Sequence, residues 1–184
     1  MRHIAILLLG LMLSAAAASA TAPVKAPLDV LFARLKQAGS PDEAKPIEEK
    51  IGGLFLQTGG GASVELLMTR AQAALTAGDK DTTKQLYDAI VDVAPDYAEG
   101  WHMRAVFQRA NNDDAGAMRS LEHTILLNPR QFAAMYELGT MLEDYGNKDG
   151  ALKLYRRALD LDPQLEGAQK HVDALSRDVE GQGI

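Results

Sequence analysis

The sequence contains no cysteine. This excludes a disulfide framework, a thiolate metal site and a cysteine nucleophile. Aromatic residues make up only 5% of the chain, too few for a typical β-sandwich core. Hydrophobic residues nevertheless make up 47%, which is too many for a disordered chain. The composition therefore predicts a packed fold held together by aliphatic contacts.

Positive charge is also scarce. The chain has 19 Lys and Arg against 25 Asp and Glu, a net charge of −6. A surface that binds phosphates carries a surplus of positive charge, so the net charge argues against a nucleic-acid partner. The length of 184 residues suits one domain or a small array of one repeating unit.

Long apolar runs are missing except at the start. Basic Met1-Arg2-His3 precedes an apolar run from Ile4 to Leu13, and small residues follow as far as Ala20. This order is typical of a signal peptide, so we predict residues 1–20 to be one, with cleavage near Ala20. The alternative is an uncleaved membrane anchor, for which the run is short, since a spanning helix needs about 20 apolar residues. Cleavage removes one basic residue, Arg2, and leaves 18 bases, 25 acids and a net charge of −7.

A repeat of 34 residues follows. It is marked by three equally spaced prolines, Pro95, Pro129 and Pro163. Aligning residues 64–97, 98–131 and 132–165 brings further columns into register. They comprise a small column (Ala71, Ala105, Gly139), a bulky column (Leu67, Trp101, Met135), a large apolar column (Tyr87, Leu121, Tyr155) and a second small position (Ala117, Ala151).

On these residues the sequence resembles the tetratricopeptide repeat (TPR) family, whose period is 34. The third block matches best, with Leu138-Gly139, Ala151, Tyr155 and Pro163 in the expected columns. The second block keeps Trp101 and Ala105. The first block is degenerate. The chain is also similar to the short exported TPR proteins of Gram-negative bacteria, which implies a periplasmic location, or anchoring in the inner membrane if the N-terminus is uncleaved.

The resemblance implies an all-α fold, an α-solenoid in which each block is two antiparallel helices. Small side chains let the two helices approach, and proline ends the second helix of each block. We expect the following organisation: signal peptide 1–20, linker 21–27, divergent N-terminal helical hairpin 28–61, TPR 1 64–97, TPR 2 98–131, TPR 3 132–165, and capping helix with tail 166–184.

The two flanks are predicted from helical periodicity. Apolar residues at helical spacing indicate helices over 28–38 and 41–57, which we expect to stack on the first repeat. A helix over 164–179 would cap the other end, with Leu165, Ala168, Val172 and Leu175 inward and His171 outward. Together, the flanking helices and the three repeats are expected to form nine helices in a shallow right-handed arch.

The sequence offers little chemistry. His102, His123 and His171 fall on three helices without zinc-ligand spacing, so we interpret them as exposed structural residues. No G-x-S-x-G motif is present, and the triple glycine at 59–61 lacks the lysine of a phosphate loop. We therefore predict a protein that is not an enzyme and that has no cofactor and no metal.

What remains is the surface. In the family the first helix of each repeat lines a concave groove that binds ligands. Carried over by column, the groove residues are Glu65, Met68, Gln72, Leu75, Glu99, His102, Val106, Arg109, Ala133, Tyr136, Thr140 and Glu143. Met68 and Gln72 stand in two of the columns where the family's carboxylate-clamp members have Lys and Asn, so a ligand read by its C-terminal carboxylate is not expected.

We interpret the chain as a non-catalytic scaffold or adaptor of the cell envelope. Its groove would bind a peptide or helix of another protein, an envelope component, with Tyr136, Met68 and Arg109 as anchors. The alternative is a soluble-ligand or lipid-binding module with a pocket between the N-terminal hairpin and the first repeat, near Phe55 and Gly59.

Overall fold

The computed structural model describes residues 25–57 and 59–181. Within these residues the chain forms nine α-helices and no strand. The helices are α1 Lys25–Leu35, α2 Pro41–Gln57, α3 Gly61–Thr76, α4 Lys80–Val93, α5 Ala98–Ala110, α6 Asp114–Leu127, α7 Phe132–Asp144, α8 Lys148–Leu161 and α9 Ala168–Glu180. None of these helices has the length and apolarity needed to cross a membrane. The predicted signal peptide lies outside the described residues.

Three helix pairs form the repeats: α3 with α4, α5 with α6, and α7 with α8. The small column lies where the two helices of a pair approach. Ala71 and Ala105 are buried there, and at Gly139 an added Cβ would lie 2.8 Å from the Tyr155 ring. Ala117 and Ala151 on the second helices are fully buried. The all-α solenoid predicted from the columns is confirmed.

The turn between the two helices has the same structure in all three pairs. A residue with positive φ, at Gly78, Asn112 or Gly146, turns the chain out of the first helix. The next residue caps the second helix, because its side chain accepts a hydrogen bond from the backbone N–H three positions on. These capping residues are Asp79, Asp113 and Asn147.

The three prolines set the ends of the second helices. Helices α4, α6 and α8 end at Val93, Leu127 and Leu161, each two residues before its proline. The residue before a proline is pushed out of the helical region, which explains why every second helix stops at the same column.

Successive repeats stack through the large apolar column. Tyr87 is buried, and its ring centroid lies 5.8 Å from that of Phe107 in the next repeat. Gly100 lets α5 approach α4, since an added Cβ would lie 2.7 Å from Ile90. Leu121 and Tyr155 are also buried. The repeat period thus fixes both the helix pairs and their stacking.

The N-terminal hairpin, α1 with α2, is not where we expected it. Its buried residues Phe32, Leu35, Ile47 and Ile51 form one core with residues of the second and third repeats, including Leu121, Ile125, Phe132 and Met135. The prediction that the hairpin stacks on the first repeat was therefore wrong. Helix α1 also begins at Lys25, inside the segment assigned to a linker, and ends at Leu35 rather than Ala38.

The hairpin crosses the edge formed by the connections between repeats, and we call helices α1 and α2 the strap. The phenol of Tyr97, between α4 and α5, donates a 2.8 Å hydrogen bond to the Leu56 carbonyl. Arg130, between α6 and α7, pairs with Asp29 and lies over the Phe32 ring. The Gln164 amide, between α8 and α9, donates a 3.1 Å hydrogen bond to the Ala38 carbonyl. The strap therefore contacts all three connections.

At the other end, α9 packs on α8. It starts at Ala168, four residues later than predicted, after Gly167 at φ 81°. Ala168 and Leu175 are buried, as the amphipathic pattern predicted. The outward assignment of His171 was wrong, because its ring stacks on Tyr155 at a centroid distance of 4.8 Å.

Candidate binding groove

The groove residues predicted by column fall into three groups. In the first repeat, Glu65, Gln72 and Leu75 are exposed and Met68 is half-buried. In the second, Val106 and Arg109 are exposed, but Glu99 and His102 are only 6% exposed each. In the third, Ala133, Tyr136, Thr140 and Glu143 are all half-buried. The face is therefore open at the first repeat and progressively closed toward the third.

Glu99 and His102 belong to a buried polar network. Glu99 accepts a 2.7 Å hydrogen bond from the Gln131 amide. His102 lies between two carboxylates, with Nδ1 3.4 Å from Glu99 Oε1 and Nε2 3.2 Å from Glu137 Oε1. These bonds join the second repeat to the third. Two predicted groove residues thus serve as internal contacts, and the interpretation of His102 as exposed was wrong.

The charge of His102 is set by this environment. Burial lowers its pKa, but the hydrogen bonds and charges of Glu137 and Glu99 outweigh burial and raise the pKa to about 10. This environment favours the protonated form of His102, because a carboxylate lies on each side of its ring. Such a group stabilises one arrangement of α5 and α7 and offers no free nitrogen to a metal or a substrate.

The first turn of α5 shows how Glu99 is recruited. The pair Asp96 and Glu99 resembles a capping box in sequence. In the structure the residue before α5 is Tyr97, and no side chain caps this end. Glu99 instead turns toward His102 and Gln131.

Arg109 and Thr140 also join neighbouring repeats. Arg109 donates a 3.0 Å hydrogen bond to the Thr140 hydroxyl and lies 3.8 Å from the Asp144 carboxylate. Thr140 in turn donates to the Glu137 carbonyl at 2.7 Å. The Arg109 side chain is 40% exposed, so its guanidinium remains accessible to a partner.

Tyr136 and Glu143 are engaged by the capping helix. The Tyr136 ring lies 5.6 Å from Tyr155 and 6.0 Å from His171 between centroids. Glu143 accepts from the Tyr155 phenol at 2.9 Å and lies 2.8 Å from His171 Nδ1. Burial and the Glu143 carboxylate raise the pKa of Tyr155. Tyr136 is therefore a poor anchor for a partner, because its ring is already packed.

A cleft of about 460 Å³ opens on the groove side of α3, beside the end of α2. Its lining is mostly apolar: Leu56, Gln57, Gly60, Gly61, Ala62, Val64, Glu65, Met68, Thr69 and Tyr97. The alternative interpretation placed a pocket in this region, near Phe55 and Gly59. Phe55 itself is buried in the core below the strap and does not line the cleft.

The first repeat also has an uncovered outer face. Leu66 is 55% exposed, whereas the residues in the same column of the next two repeats, Gly100 and Ala134, are buried. Those residues pack against the repeat before them. Since the strap lies elsewhere, nothing in the described residues covers Leu66, and this end of the solenoid presents α3 to solvent.

Among residues 25–57 and 59–181, no three side chains of His, Asp or Glu converge to hold a metal ion.

The residues that sequence reasoning missed are Glu137 and Gln131, the partners of His102 and Glu99. A signal for Glu137 was present, since it lies 35 residues after His102, one repeat length plus one position.

Comparison with known proteins agrees with the repeat columns. The tetratricopeptide repeat profile matches residues 132–165, the third block. A TPR repeat-containing protein of Rhizobium etli is 31% identical over 163 residues, covering 89% of this chain and 79% of the relative. The crystal structure of MamA superposes with a TM-score of 0.57 at 20% identity, covering 78% of this chain and 79% of MamA.

A further structural neighbour carries a ligand. The first TPR domain of Spaghetti, bound to an HSP90 peptide, superposes with a TM-score of 0.57 at 20% identity, covering 64% of this chain and 93% of that one. The identities to these two structures are low, so they establish the fold alone. Together with the relative from Rhizobium etli, the columns and the helix pairs show that this chain belongs to the tetratricopeptide repeat family.

Proposed function

We propose that this protein is a non-catalytic scaffold or adaptor that binds a segment of another protein on the groove face of its first repeat. One observation carries the proposal. On α3 the side chains of Gln72 and Leu75 are exposed and Met68 is half-buried beside an apolar cleft. In the equivalent columns, His102 of the second repeat is buried, and Tyr136, Thr140 and Glu143 of the third repeat are half-buried. An accessible apolar surface of this kind is typical of a protein-binding site.

The shape of the site favours an extended or helical segment with one large apolar side chain. Such a side chain would enter the cleft between Leu56, Val64 and Met68, and the rest of the segment would run along the groove toward Val106 and Arg109. Methionine adapts its shape to different side chains, and Arg109 could pair with an acidic residue of the partner. The set that we propose to contact the partner is Met68, Gln72, Leu75, Val106 and Arg109.

The proposed site does not recognise its partner by a C-terminal carboxylate. Met68 and Gln72 occupy columns where such a ligand would require cationic or amide donors, and a carboxylate placed against Met68 would lose hydration without gaining a partner. The HSP90 peptide bound to Spaghetti is a property of that protein. For this chain we propose an internal segment, recognised by its apolar side chain.

We propose the periplasm as the place of action, with an envelope protein as the partner. The support is the basic, apolar and small order of residues 1–20. Anchoring in the inner membrane by an uncleaved N-terminus is the alternative, and both place the repeats outside the cytoplasm.

Site-specific photocrosslinking in living cells tests the proposal. The photoreactive residue replaces Met68, and the control replaces Lys153, which is exposed on the second helix of the third repeat. We expect a discrete partner to be captured from Met68 and not from Lys153. Equal capture from both positions, or capture from Lys153 alone, would contradict binding at the first repeat. A third position, Tyr136, is expected to be silent because its ring is packed.

The cleft also supports the alternative function, a small apolar ligand or lipid. Its volume of about 460 Å³ lies within the range of small-molecule sites. Native mass spectrometry of the gently purified protein distinguishes the two functions. A bound mass that disappears in Met68→Glu would favour the ligand-binding module, and an unliganded mass together with a crosslinked partner would favour the scaffold.

A further inference from the structure

Two carboxyl groups meet where the strap contacts the solenoid. Asp162, in the connection between α8 and α9, is completely buried. Its Oδ1 accepts a 3.1 Å hydrogen bond from the Gln164 backbone N–H. Its Oδ2 is buried and has no hydrogen-bond donor in the described part of the chain. The carboxyl of Glu48, on α2 and half-buried, lies within hydrogen-bonding reach of the Asp162 carboxyl.

This geometry requires a proton. Two carboxylates facing each other out of water repel, and the orphaned Oδ2 can be satisfied only if one of the two groups is protonated and donates to the other. Glu48 is the better holder of the proton, because Asp162 already accepts from Gln164 as a carboxylate would. Burial, followed by the charge of Asp162, raises the pKa of Glu48 to about 7. Burial also raises the pKa of Asp162.

The surrounding charges do not neutralise the pair. Lys45, one turn earlier on α2, lowers the pKa of Glu48, and Glu166 raises it. On the other elements packed near α2, the charges are paired with each other: Asp29 with Arg130, and Glu99 with His102. Arg34 on α1 is exposed. If both Glu48 and Asp162 were ionised, the second of their two negative charges would therefore remain largely uncompensated at the interface.

We propose that Glu48 and Asp162 form a proton-dependent latch that holds the strap against the connections between repeats. With one shared proton the pair is a hydrogen bond across the interface. Without it the pair is two like charges in a buried contact, and the strap loosens. The inference does not depend on the proposed partner, because docking of the strap is a property of the chain alone.

The direction with pH follows from linkage. When the strap is released, Glu48 is in water and titrates near its ordinary value of 4.5, whereas in the docked state it titrates near 7. The docked state therefore holds more protons between these values. The equilibrium constant for docking is largest below pH 4.5 and falls by up to about ten-fold per pH unit until pH 7. Above pH 7 the contribution of Glu48 to docking no longer changes.

The consequence of release concerns the second and third repeats. The strap covers Phe132 at the start of α7, with the Phe32 and Phe132 centroids 6.2 Å apart. It also contacts α5, the helix that carries Glu99. Loosening the strap exposes these first turns to solvent. The latch would thus link the exposure of the first turns of α5 and α7 to the pH of the surroundings.

A distance measurement between the strap and the solenoid tests the latch. The natural chain has no cysteine, so Lys50→Cys on α2 and Lys153→Cys on α8, both exposed, provide two unique dye positions. Single-molecule energy transfer is recorded from pH 5 to pH 8.5. We expect the docked fraction to fall as the pH rises toward 7. In Glu48→Gln, whose amide donates to Asp162 at every pH, the docked fraction should stay constant.

Two further variants make the result decisive. Glu49→Gln removes the adjacent, exposed carboxylate and should behave as the wild type. Asp162→Asn removes the charge of Asp162 and should weaken the pH dependence to the part that burial of Glu48 causes, even if Glu48→Gln folds poorly. A docked fraction that does not change between pH 5 and 8.5 in the wild type overturns the latch. The same slope in the wild type and both latch variants overturns it as well.

Discussion

The phenol of Tyr97 donates a 2.8 Å hydrogen bond to the backbone carbonyl of Leu56, 41 residues earlier in the chain. Tyr97 is 2% exposed, and burial, with a smaller effect of Glu99, raises its pKa to about 12. The bond links the end of the strap to the connection between the first two repeats. It also forms one wall of the apolar cleft, to which both residues contribute.

Tyr97→Phe removes this bond and keeps the ring. We expect the free energy of unfolding to fall by about 1 kcal/mol, the usual net contribution of a buried hydrogen bond. Urea denaturation followed by circular dichroism measures the change. A stability equal to the wild type would mean that water reaches the Leu56 carbonyl and replaces the phenol.

Gly139→Leu tests the register of the third repeat. Even a Cβ at this position would lie 2.8 Å from the Tyr155 ring, which is fully buried and bonded to Glu143. The ring has no free space to move into, so overpacking should cost about 3 kcal/mol, the upper part of its usual range. The melting temperature should fall accordingly, and an unchanged value would contradict the packing of α7 on α8.

Gly53→Ala is the matched control. Gly53 also lies within a helix, α2, but a Cβ there meets nothing within 4 Å. Because alanine restricts the unfolded chain and favours helix, we expect a gain of about 0.5–1 kcal/mol. The opposite signs of these two glycine substitutions distinguish close helix packing from a general intolerance of side chains.

His102→Leu tests the buried histidine. The substitution leaves Glu99 and Glu137 without the charge between them, so we expect a loss of about 3–5 kcal/mol near pH 7. In the wild type the folded pKa of His102, about 10, is above the unfolded value of 6.5. Its stabilisation is complete below pH 6.5 and is lost as the pH rises toward 10.

The pH dependence is measured by urea denaturation between pH 7.5 and 9.5, above the range in which Glu48 titrates. Wild-type stability should decline with pH over this window, and His102→Leu should show no such slope. His123→Leu is the control, because His123 is exposed and its ring stacks on Trp101. A wild-type slope of zero would mean that His102 is neutral.

Export predicts a defined mature N-terminus. If residues 1–20 are a signal peptide, the protein recovered from the periplasm starts at Thr21. Intact-mass measurement of the periplasmic fraction tests this, with an Ala18→Arg, Ala20→Arg variant as the control that should remain uncleaved. A full-length mass in the membrane fraction would favour the anchored alternative.

The repeat architecture could be predicted because its contacts follow the period. Gly139 and Tyr155 belong to one repeat, and Tyr87 and Phe107 belong to adjacent repeats. In a solenoid each repeat contacts only its neighbours, so a column of small or aromatic residues has the same surroundings every time it recurs. The identity of the residue and its place in the period, together with the resemblance to the tetratricopeptide repeat family, were therefore enough.

For the groove, the sequence could predict which helix face lines it, but not which of its residues are accessible. The columns that place Met68 and Arg109 on it come from the resemblance to the tetratricopeptide repeat family, and Arg109 is exposed while Met68 is half-buried. Whether His102 and Tyr136 are accessible depends on what lies across from them. Glu137 of the next repeat encloses His102, and α9 provides His171 against Tyr136. A single column carries no information on those neighbours.

The position of the strap was decided by tertiary structure alone. Its amphipathic pattern predicted two helices, each with an apolar side, and the chain order suggested the first repeat as the surface that buries those sides. The contacts instead join Asp29 to Arg130 and Gln164 to Ala38, 101 and 126 residues apart. The 34-residue period does not relate such pairs, so these contacts can stabilise the protein only after the solenoid has formed. The sequence by itself thus determined the helices, the repeats and their order, because those depend on local spacing. Tertiary structure determined which part of the groove stays open, because that depends on where Glu137 and α9 lie relative to it.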